Sequence, residues 1–280
     1  MSNTEELSFA LRFINEHPKS AVRVLEQNEA DAVVSLLNVI PAAYAASLVR
    51  YMMPEFAGRL LSRLERDKSA AVLSTLDANV IANILRLLDS EIRGQLLDEL
   101  STGLRKNTQL LLNFAPNTVG AWMSPYLLTV ADDLKCKNIL RTMRTSDSQD
   151  DSEYVYILNR EGIYQGRTRL LDVLKAGENQ QVAAIMDTSC PSLPAQMILS
   201  QANEHRAWDQ ADVLPVTNRD HQLLGILHHH ALRQGLDLHK TKNRVAASGK
   251  DPVSSIFEVY GQSLLALLNS VSDVVENDRQ

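Results

Sequence analysis

The stretch VLEQNEADAVVSLLNVIPAAYAASLV (residues 24–49) repeats a pair of adjacent apolar residues every twelve positions. The same spacing continues to about residue 100 and forms three apolar columns: Val24, Leu36, Leu48, Leu60, Val72, Ile84 and Leu96; Leu25, Leu37, Val49, Leu61, Leu73, Leu85 and Leu97; and Ile40, Met52, Leu64, Leu76, Leu88 and Leu100. Offsets of one and four residues place these columns on one side of a helix. Each unit is therefore predicted to be a helix of roughly two turns followed by a tight connection.

Turn-forming residues close several of these units, at Pro41, Asp77 and Asp89 and, one place late, at Pro54. Helices this short do not persist alone in water, so each unit must bury its apolar stripe against its neighbours. The first hundred residues are thus predicted to stack into a right- or left-wound solenoid. Solenoids usually bind or transmit, and they rarely catalyse.

Composition limits the class of protein. The chain has 280 residues, 45% of them hydrophobic, which is enough for two domains with substantial cores. The net charge is −6 and both signs are evenly spread, so no nucleic-acid partner is predicted. The absence of a signal peptide and of an apolar run long enough to span a bilayer favours a cytoplasmic protein. Cys136 and Cys190 lack metal-ligand spacing, so reduced thiols are expected.

The pattern changes near residue 115, and the segment that follows is duplicated. VGAWM (residues 119–123) is matched by VAAIM (residues 182–186), and two predicted hairpins stand 59 residues apart, as Gly166 and Gly225 do. The predicted strands are 154–158 and 164–168 in the first half, and 213–217 and 223–227 in the second. The predicted helices are 134–144, 170–174, 195–208 and 229–236.

This order of elements resembles known modules. It resembles a tandem pair of cystathionine β-synthase (CBS) domains. Each half has a Met, a helix, a strand, a turn, a Gly-containing strand and a second helix, in this order. The helical repeat before it, and the junction NFAPNTVGAWMSP (residues 113–125), resemble the cytosolic region of the MgtE magnesium transporters. The resemblance implies a multi-domain α plus α/β fold, with a helical N domain over residues 1–115, a CBS pair over 116–240, and a polar linker and C-terminal helix over 241–280.

The resemblance also implies a metal site. The MgtE family senses Mg2+ through carboxylates between its helical and CBS domains, where a cation bridges like charges. By repeat register, two acidic positions of the family fall on Arg59 and Gln95 here, whereas Glu91 keeps a carboxylate and Gly120 keeps a backbone carbonyl. Glu91 and Gly120 are therefore the candidate metal residues, with Mg2+ as the implied ligand.

A nucleotide is the alternative ligand. CBS pairs that bind adenosine compounds typically carry a Ser or Thr three residues before an Asp. Here Asp172 is kept, Arg169 stands at the hydroxyl position, and Thr168 lies one residue earlier, while the second half keeps neither residue. Thr168 and Asp172 are the candidate adenosine residues, with Arg167 or Arg169 near a phosphate. The departure from the family pattern favours Mg2+ over an adenine nucleotide.

No catalytic pattern stands out in the sequence. His228, His229 and His230 lie at a strand-to-helix passage where consecutive side chains diverge, so a structural role is expected. There is no Ser/His/Asp arrangement, P-loop or HExxH sequence, so the sequence does not predict an enzyme.

Two kinds of partner are expected. Residues 253–274 carry apolar residues that alternate by four and three, and polar residues on the other faces, which predicts a helix that packs on a partner and does not cross a membrane. Because this segment takes the place of the family's connecting helix, a membrane transporter or another protein is its expected partner. A homodimer through the CBS pair is expected to bury the faces of residues 134–144 and 195–208.

Three functions are compatible with these observations. The first is a cytosolic regulator of magnesium or other divalent-cation transport that acts on a separate partner by ligand-dependent domain rearrangement. The second is a protein-binding helical scaffold in which the CBS pair only dimerises. The third is an adenine-nucleotide sensor.

Overall fold

The computed structural model describes residues 3–145 and 153–241. Within them the chain divides into two compact units, one ending at Gln109 and the other beginning at Leu110. The first unit is helical, and the second contains two small sheets with short helices. The predicted C-terminal helix (253–274) lies outside the described residues.

The first unit is a series of short helices: α1 (Asn3–Glu16), α2 (Pro18–Leu25), α3 (Ala30–Val39), α4 (Ala42–Val49), α5 (Pro54–Leu61), α6 (Arg66–Leu73), α7 (Ala78–Leu85), α8 (Ser90–Asp98) and α9 (Thr102–Leu112), which continues into the second unit. From α2 onward each helix begins twelve residues after the previous one, at positions 18, 30, 42, 54, 66, 78, 90 and 102. The predicted repeat of short helices is confirmed.

The three apolar columns form the core of this unit. All of their members are buried except Leu88 and Leu97, which are half-buried. Helices two positions apart pack against each other, as α3 does with α5, α4 with α6, and α5 with α7. Each helix therefore buries its stripe among neighbours along the stack, which stabilises helices too short to persist alone.

The turn-forming residues stand at the starts of helices. Pro54 is the first residue of α5, and Pro41, Asp77 and Asp89 directly precede α4, α7 and α8. Proline suits the first turn because the backbone N–H groups there have no intrahelical acceptor. The Asp77 side chain does not cap α7. Its carboxylate accepts a hydrogen bond from Arg50 Nη1 at 2.6 Å, and this bond links the turns that follow α4 and α6.

The second unit contains two three-stranded sheets of the same topology. In the first, β1 (Leu128–Ala131) is parallel to β2 (Tyr154–Leu158), which pairs antiparallel with β3 (Tyr164–Arg169). In the second, β4 (Leu193–Pro194), β5 (Val213–Thr217) and β6 (Leu223–His228) repeat this arrangement. The duplicated hairpins are confirmed, and each of their four strands ends within one residue of its predicted position; β1 and β4 were not predicted.

Among the described residues of this unit the α-helices are α10 (Val119–Trp122), α11 (Cys136–Thr145), α12 (Leu170–Lys175), α13 (Leu199–Asn203) and α14 (His229–Thr241). The single helix predicted over 195–208 is wrong, because α13 ends at Asn203 and a separate 3-10 turn covers Arg206–Asp209. His205 causes the break: its backbone is extended, and its Nδ1 accepts the Ala207 N–H. The helix predicted over 229–236 is longer than expected and reaches Thr241, into the predicted linker.

A short segment before each half of this unit crosses to the other half. We define the leading segments as residues 119–125 and 182–188. Ser124, in the first leading segment, exchanges backbone hydrogen bonds with β6 of the second half. Asp187, in the second leading segment, does the same with Arg167 in β3 of the first half. Each sheet is thus extended by the segment that precedes the other half.

Two glycines make these crossings possible. A Cβ added to Gly225 would lie 2.5 Å from the Ser124 carbonyl oxygen, and one added to Gly166 would lie 2.6 Å from the Asp187 carbonyl oxygen. Backbone atoms cannot yield as a flexible side chain does, so only glycine fits at either position.

Candidate ligand-binding site

A cavity of about 570 Å³ lies between the two halves of the second unit. The end of β3 and the start of α12 form one wall. Residues 185–191, before β4, and residues 205–211, after α13, form the other. Its polar lining consists of Tyr154, Arg167, Thr168, Arg169, Asp172, Asp187, Ser189, Cys190, His205, Arg206 and Gln210. The volume is in the range of small-molecule sites, and the mostly polar lining suits a charged or polar ligand.

Arg167 is a buried cation in this wall, with only 6% of its surface exposed. Its Nη1 donates to the Val213 carbonyl oxygen at 2.8 Å, and its guanidinium carbon lies 4.1 Å from the centre of the Tyr154 ring. Its Nε has no hydrogen-bond partner among the described residues, and none of their carboxylates forms an ion pair with it. Because a buried charge without an opposite charge is costly, this position favours an anionic ligand.

Arg169 and Asp172 form the exposed part of the same wall. A side-chain hydrogen bond with Tyr154 raises the pKa of Arg169, so this guanidinium stays charged. Asp172 lies in the first turn of α12. A carboxylate at this place can accept hydrogen bonds from the hydroxyl groups of a ligand.

Asp187 faces the cavity from the second leading segment. Ser189 donates its hydroxyl to Asp187 Oδ1 at 2.6 Å and its backbone N–H to the same oxygen at 2.9 Å, and these bonds lower the pKa of the Asp187 carboxyl. The charge of Arg167 lowers it further, by less. The Asp187 carboxylate is therefore held by Ser189 and does not neutralise the guanidinium by direct contact.

The cysteines are buried and unpaired, as expected for reduced thiols. Burial raises the pKa of the Cys190 thiol in the cavity wall and that of Cys136 in the core of the first half. Burial also raises the pKa of Tyr164, which lies beside Cys190. These groups are uncharged at neutral pH and add no anion near Arg167.

The two candidate adenosine residues line the same cavity. Asp172 is exposed toward solvent at its edge, and Thr168 is buried in the wall. Side chains alternate along β3, so Thr168 projects to the face opposite that of Arg167 and Arg169. The Thr168 hydroxyl has no hydrogen-bond partner among the described residues. The role of both residues in adenosine binding stays a prediction.

Local sequence spacing does not identify the residues that the second half contributes. Asp187, Ser189 and Arg206 lie 15 or more positions after Asp172 and reach the cavity only through the fold. The duplication is the signal that points to them, because Asp187 directly follows the repeated VAAIM sequence that forms the second leading segment.

The candidate metal residues lie in different units. Glu91 is exposed in the first turn of α8. In the second unit, the Gly120 N–H donates to the Ala195 carbonyl oxygen at 2.8 Å, and an added Cβ there would lie 2.6 Å from the Phe114 ring. The described part of the chain has no group of three or more His, Cys, Asp or Glu side chains that could hold a metal ion. Magnesium binding by Glu91 and Gly120 stays a prediction.

The three consecutive histidines point in different directions. His229 stacks on Trp208 with 4.8 Å between ring centres, whereas the His228 and His230 rings are tilted and 5.2 Å apart. Burial lowers the pKa of His228, and the neighbouring His230 lowers it further. The stacking and burial support the structural role expected for this stretch.

Comparison with known proteins gives the fold its context. Residues 16–117 match the family described as the MgtE intracellular N domain. One similar solved structure is the crystal structure of the cytosolic domain of the Mg2+ channel MgtE in complex with ATP. Its sequence is 22% identical to this chain, and the match covers 81% of this chain and 93% of that one, with a TM-score of 0.70. This chain has the fold of the MgtE cytosolic region.

A second solved structure agrees. The soluble part of a magnesium transporter is 16% identical and covers 85% of this chain and 99% of its own, with a TM-score of 0.57. A sequence search of curated proteins found no match. In the part of the chain that the structure describes, no helix is both long and apolar enough to cross a bilayer.

These findings confirm the fold class expected from the sequence, a solenoid of short helices followed by a tandem CBS pair, for the residues described. The MgtE resemblance inferred from the repeat and the duplicated hairpins is confirmed with it. At identities of 22% and 16% the solved structures establish a shared fold. Ligand, partner and mechanism need separate support.

Proposed function

We propose that this chain is a regulatory module of magnesium or other divalent-cation transport, which changes conformation with a bound ligand and acts on a separate membrane partner. The observation that carries the proposal is the MgtE-like order of a helical-repeat domain and a CBS pair over most of the chain. The cavity supports it, because its volume is in the range of small-molecule sites and its polar wall suits a charged ligand. The module binds and transmits on the cytoplasmic side of the membrane, and it does not catalyse.

The cavity is the proposed site of an adenine nucleotide. The MgtE cytosolic domain whose fold this chain shares was crystallised in complex with ATP. Asp172 has the chemistry to accept hydrogen bonds from ribose hydroxyls, and Arg169 has the charge to contact a phosphate. The buried charge of Arg167 also favours an anionic ligand such as a nucleotide. We therefore propose an adenine nucleotide and Mg2+ as ligands with equal support.

The proposed assembly is a homodimer through the CBS pair. Leu171 and Leu174, on α12, are 55% and 60% exposed. These leucines lie three positions apart on α12 and form one exposed apolar face, which we propose adds to the dimer contact expected at the faces of 134–144 and 195–208. The segment 253–274 is the proposed contact with the membrane partner.

Substitution of Glu91 by Gln tests the magnesium part of the proposal. We expect millimolar MgCl2 to raise the unfolding temperature of the wild-type chain, because an ion that binds only the folded state stabilises it. The Glu91→Gln variant should lose this rise, since it lacks the anionic oxygen that a hard cation prefers. Differential scanning calorimetry, with NaCl at the same ionic strength as the reference, measures the effect.

The matched control is Glu55→Gln. Glu55 is exposed at the second position of α5, as Glu91 is at the second position of α8. The control should keep the response to magnesium. If MgCl2 raised the unfolding temperature of both variants equally, Glu91 would not be a magnesium ligand. A wild-type chain with no response, and with the same radius of gyration in chelator and in magnesium, would favour the scaffold function instead.

A further inference from the structure

The three consecutive histidines at the end of β6 separate into one stacked residue and one facing pair. His229 stacks on Trp208 with 4.8 Å between the ring centres, so an aromatic contact accounts for its ring. The rings of His228 and His230 lie beside each other instead, with their centres 5.2 Å apart and their planes tilted by 40°. The fold therefore brings two imidazoles together at the passage from β6 to α14.

The separation of the two rings fits a shared metal ion. Zinc binds an imidazole nitrogen at about 2.0–2.1 Å, and two imidazoles on one tetrahedral ion have their ring centres about 5 Å apart. The 5.2 Å between His228 and His230 meets this requirement. The torsion that rotates a histidine ring about its Cβ–Cγ bond is soft, so each ring can turn one nitrogen toward a common ion while the backbone stays in place.

The pair is accessible and suited to bind a metal at neutral pH. His230 is exposed and His228 is half-buried, so an ion reaches both from solvent. An imidazole has to be uncharged to bind a metal. Burial lowers the pKa of His228, and the neighbouring His230 lowers it further, which keeps the His228 ring neutral.

The imidazole nitrogens select the class of metal. Zn2+, Ni2+ and Cu2+ bind imidazole readily, whereas Mg2+ prefers oxygen ligands. Among the described residues, no third His, Cys, Asp or Glu side chain joins the pair in a group that could hold a metal ion. Water therefore occupies the remaining positions, and the ion is held less tightly than at a structural site with four protein ligands.

The pair belongs to the second half and not to the duplicated fold. The positions 59 residues earlier are Arg169 and Leu171, so the first half has a guanidinium and an apolar side chain at the same place. Neither group binds a metal ion. The second half has thus acquired metal-binding side chains at an end where the first half carries a cation.

We propose that His228 and His230 together bind one divalent transition-metal ion, with Zn2+ as the member of this class that prefers tetrahedral geometry. This ion differs in chemistry from Mg2+, so the inference goes beyond the proposed function and does not depend on it. The bound ion joins the last residue of β6 to the second residue of α14 and so fixes the passage between strand and helix.

Isothermal titration calorimetry of the full chain with ZnCl2, without a histidine tag, tests this inference. We expect a site for one Zn2+ per chain that excess MgCl2 does not displace. His230→Asn removes one of the two ligands and should weaken Zn2+ binding by about tenfold or more. The matched control is His229→Phe, which keeps an aromatic ring on Trp208 and both ligands, and should change the Zn2+ affinity less than about twofold.

The possible results separate the pair from the other histidines. Equal Zn2+ affinities of the wild-type chain and His230→Asn would overturn the inference, as would an equal loss of binding in both variants or displacement of Zn2+ by MgCl2. If His230→Asn does not fold, X-ray absorption of the zinc-loaded wild-type chain decides. Two imidazole ligands on the zinc ion would support the pair, and one or none would overturn it. The response of Glu91→Gln to MgCl2 tests the proposed function separately.

Discussion

At the scale of single residues, Gly166 and Gly225 show how closely the halves of the second unit approach each other. At each position an added Cβ would meet a carbonyl oxygen and a methionine side chain of a leading segment, Met186 at Gly166 and Met123 at Gly225. A methionine can move to another rotamer, whereas the carbonyl oxygen belongs to a paired backbone. The strain of a substitution therefore falls on the sheet.

Substitution of Gly225 by Ala should lower the free energy of unfolding by about 1–3 kcal/mol, the range found when atoms are forced into a packed site. Urea denaturation followed by tryptophan fluorescence measures the loss, because both tryptophans of the chain, Trp122 and Trp208, lie in the second unit. Gly177→Ala is the control, since the atom nearest to its added Cβ is 4.0 Å away. Equal urea midpoints of the two variants would contradict the packing argument.

Some residues of the candidate site could be predicted from the sequence, and others could not. Asp172 is identifiable because the resemblance places an Asp at that point after the Gly-containing strand. Arg167 was foreseen only as a residue near a phosphate, since nothing in the sequence states that it would be buried without a carboxylate partner. Asp187 and Ser189 could not be assigned from spacing, because their place in the wall depends on a crossing between halves.

At the scale of elements, the helical repeat was predictable because its period is carried by apolar residues that the stack must bury. The starts of α2 to α9 follow the twelve-residue spacing without deviation. The stretch 195–208 was not predictable in the same way. Its composition suits a helix throughout, but the Ala195 N–H bonds to the Thr217 carbonyl oxygen and His205 Nδ1 accepts the Ala207 N–H, and α13 covers only Leu199–Asn203.

Deletion of one complete repeat, residues 66–77, should preserve a cooperative thermal transition of the first unit, because the apolar columns on both sides stay in register. Deletion of residues 66–73 alone, which removes only α6, displaces every later column by four positions and should abolish that transition. Both deletions remove Lys68, whose ammonium bonds to the Ile40 carbonyl oxygen, so this contact is matched between them. Far-UV circular dichroism on heating compares the two, and identical melting would contradict the importance of register.

At the scale of the whole molecule, the two halves of the second unit are equivalent in their cores but differ in their exposed residues. Leu171 and Leu174 on α12 correspond, 59 residues later, to His230 and Arg233 on α14. The hairpins were predictable from both halves because their cores are equivalent. The surface was not, because exposed positions need not follow the repeat.

Replacement of both leucines, Leu171→Lys with Leu174→Lys, should convert a dimer into a monomer at micromolar concentration, because lysines at a paired apolar surface lose burial and repel each other. Sedimentation equilibrium gives the mass. The control is His230→Lys with Arg233→Lys, which places lysines at the corresponding positions of α14 and should leave the dimer intact. A wild-type chain that is monomeric under these conditions would contradict the proposed assembly.

The crossing of the leading segments has a consequence for the origin of the second unit. One half alone would carry a segment with no partner strand, and its own Gly-containing strand would have an unpaired edge. Two copies of such a half could satisfy each other by exchanging these arms, as in a domain-swapped dimer. Joining two such halves in one chain converts an association that depends on concentration into one that the chain carries within itself.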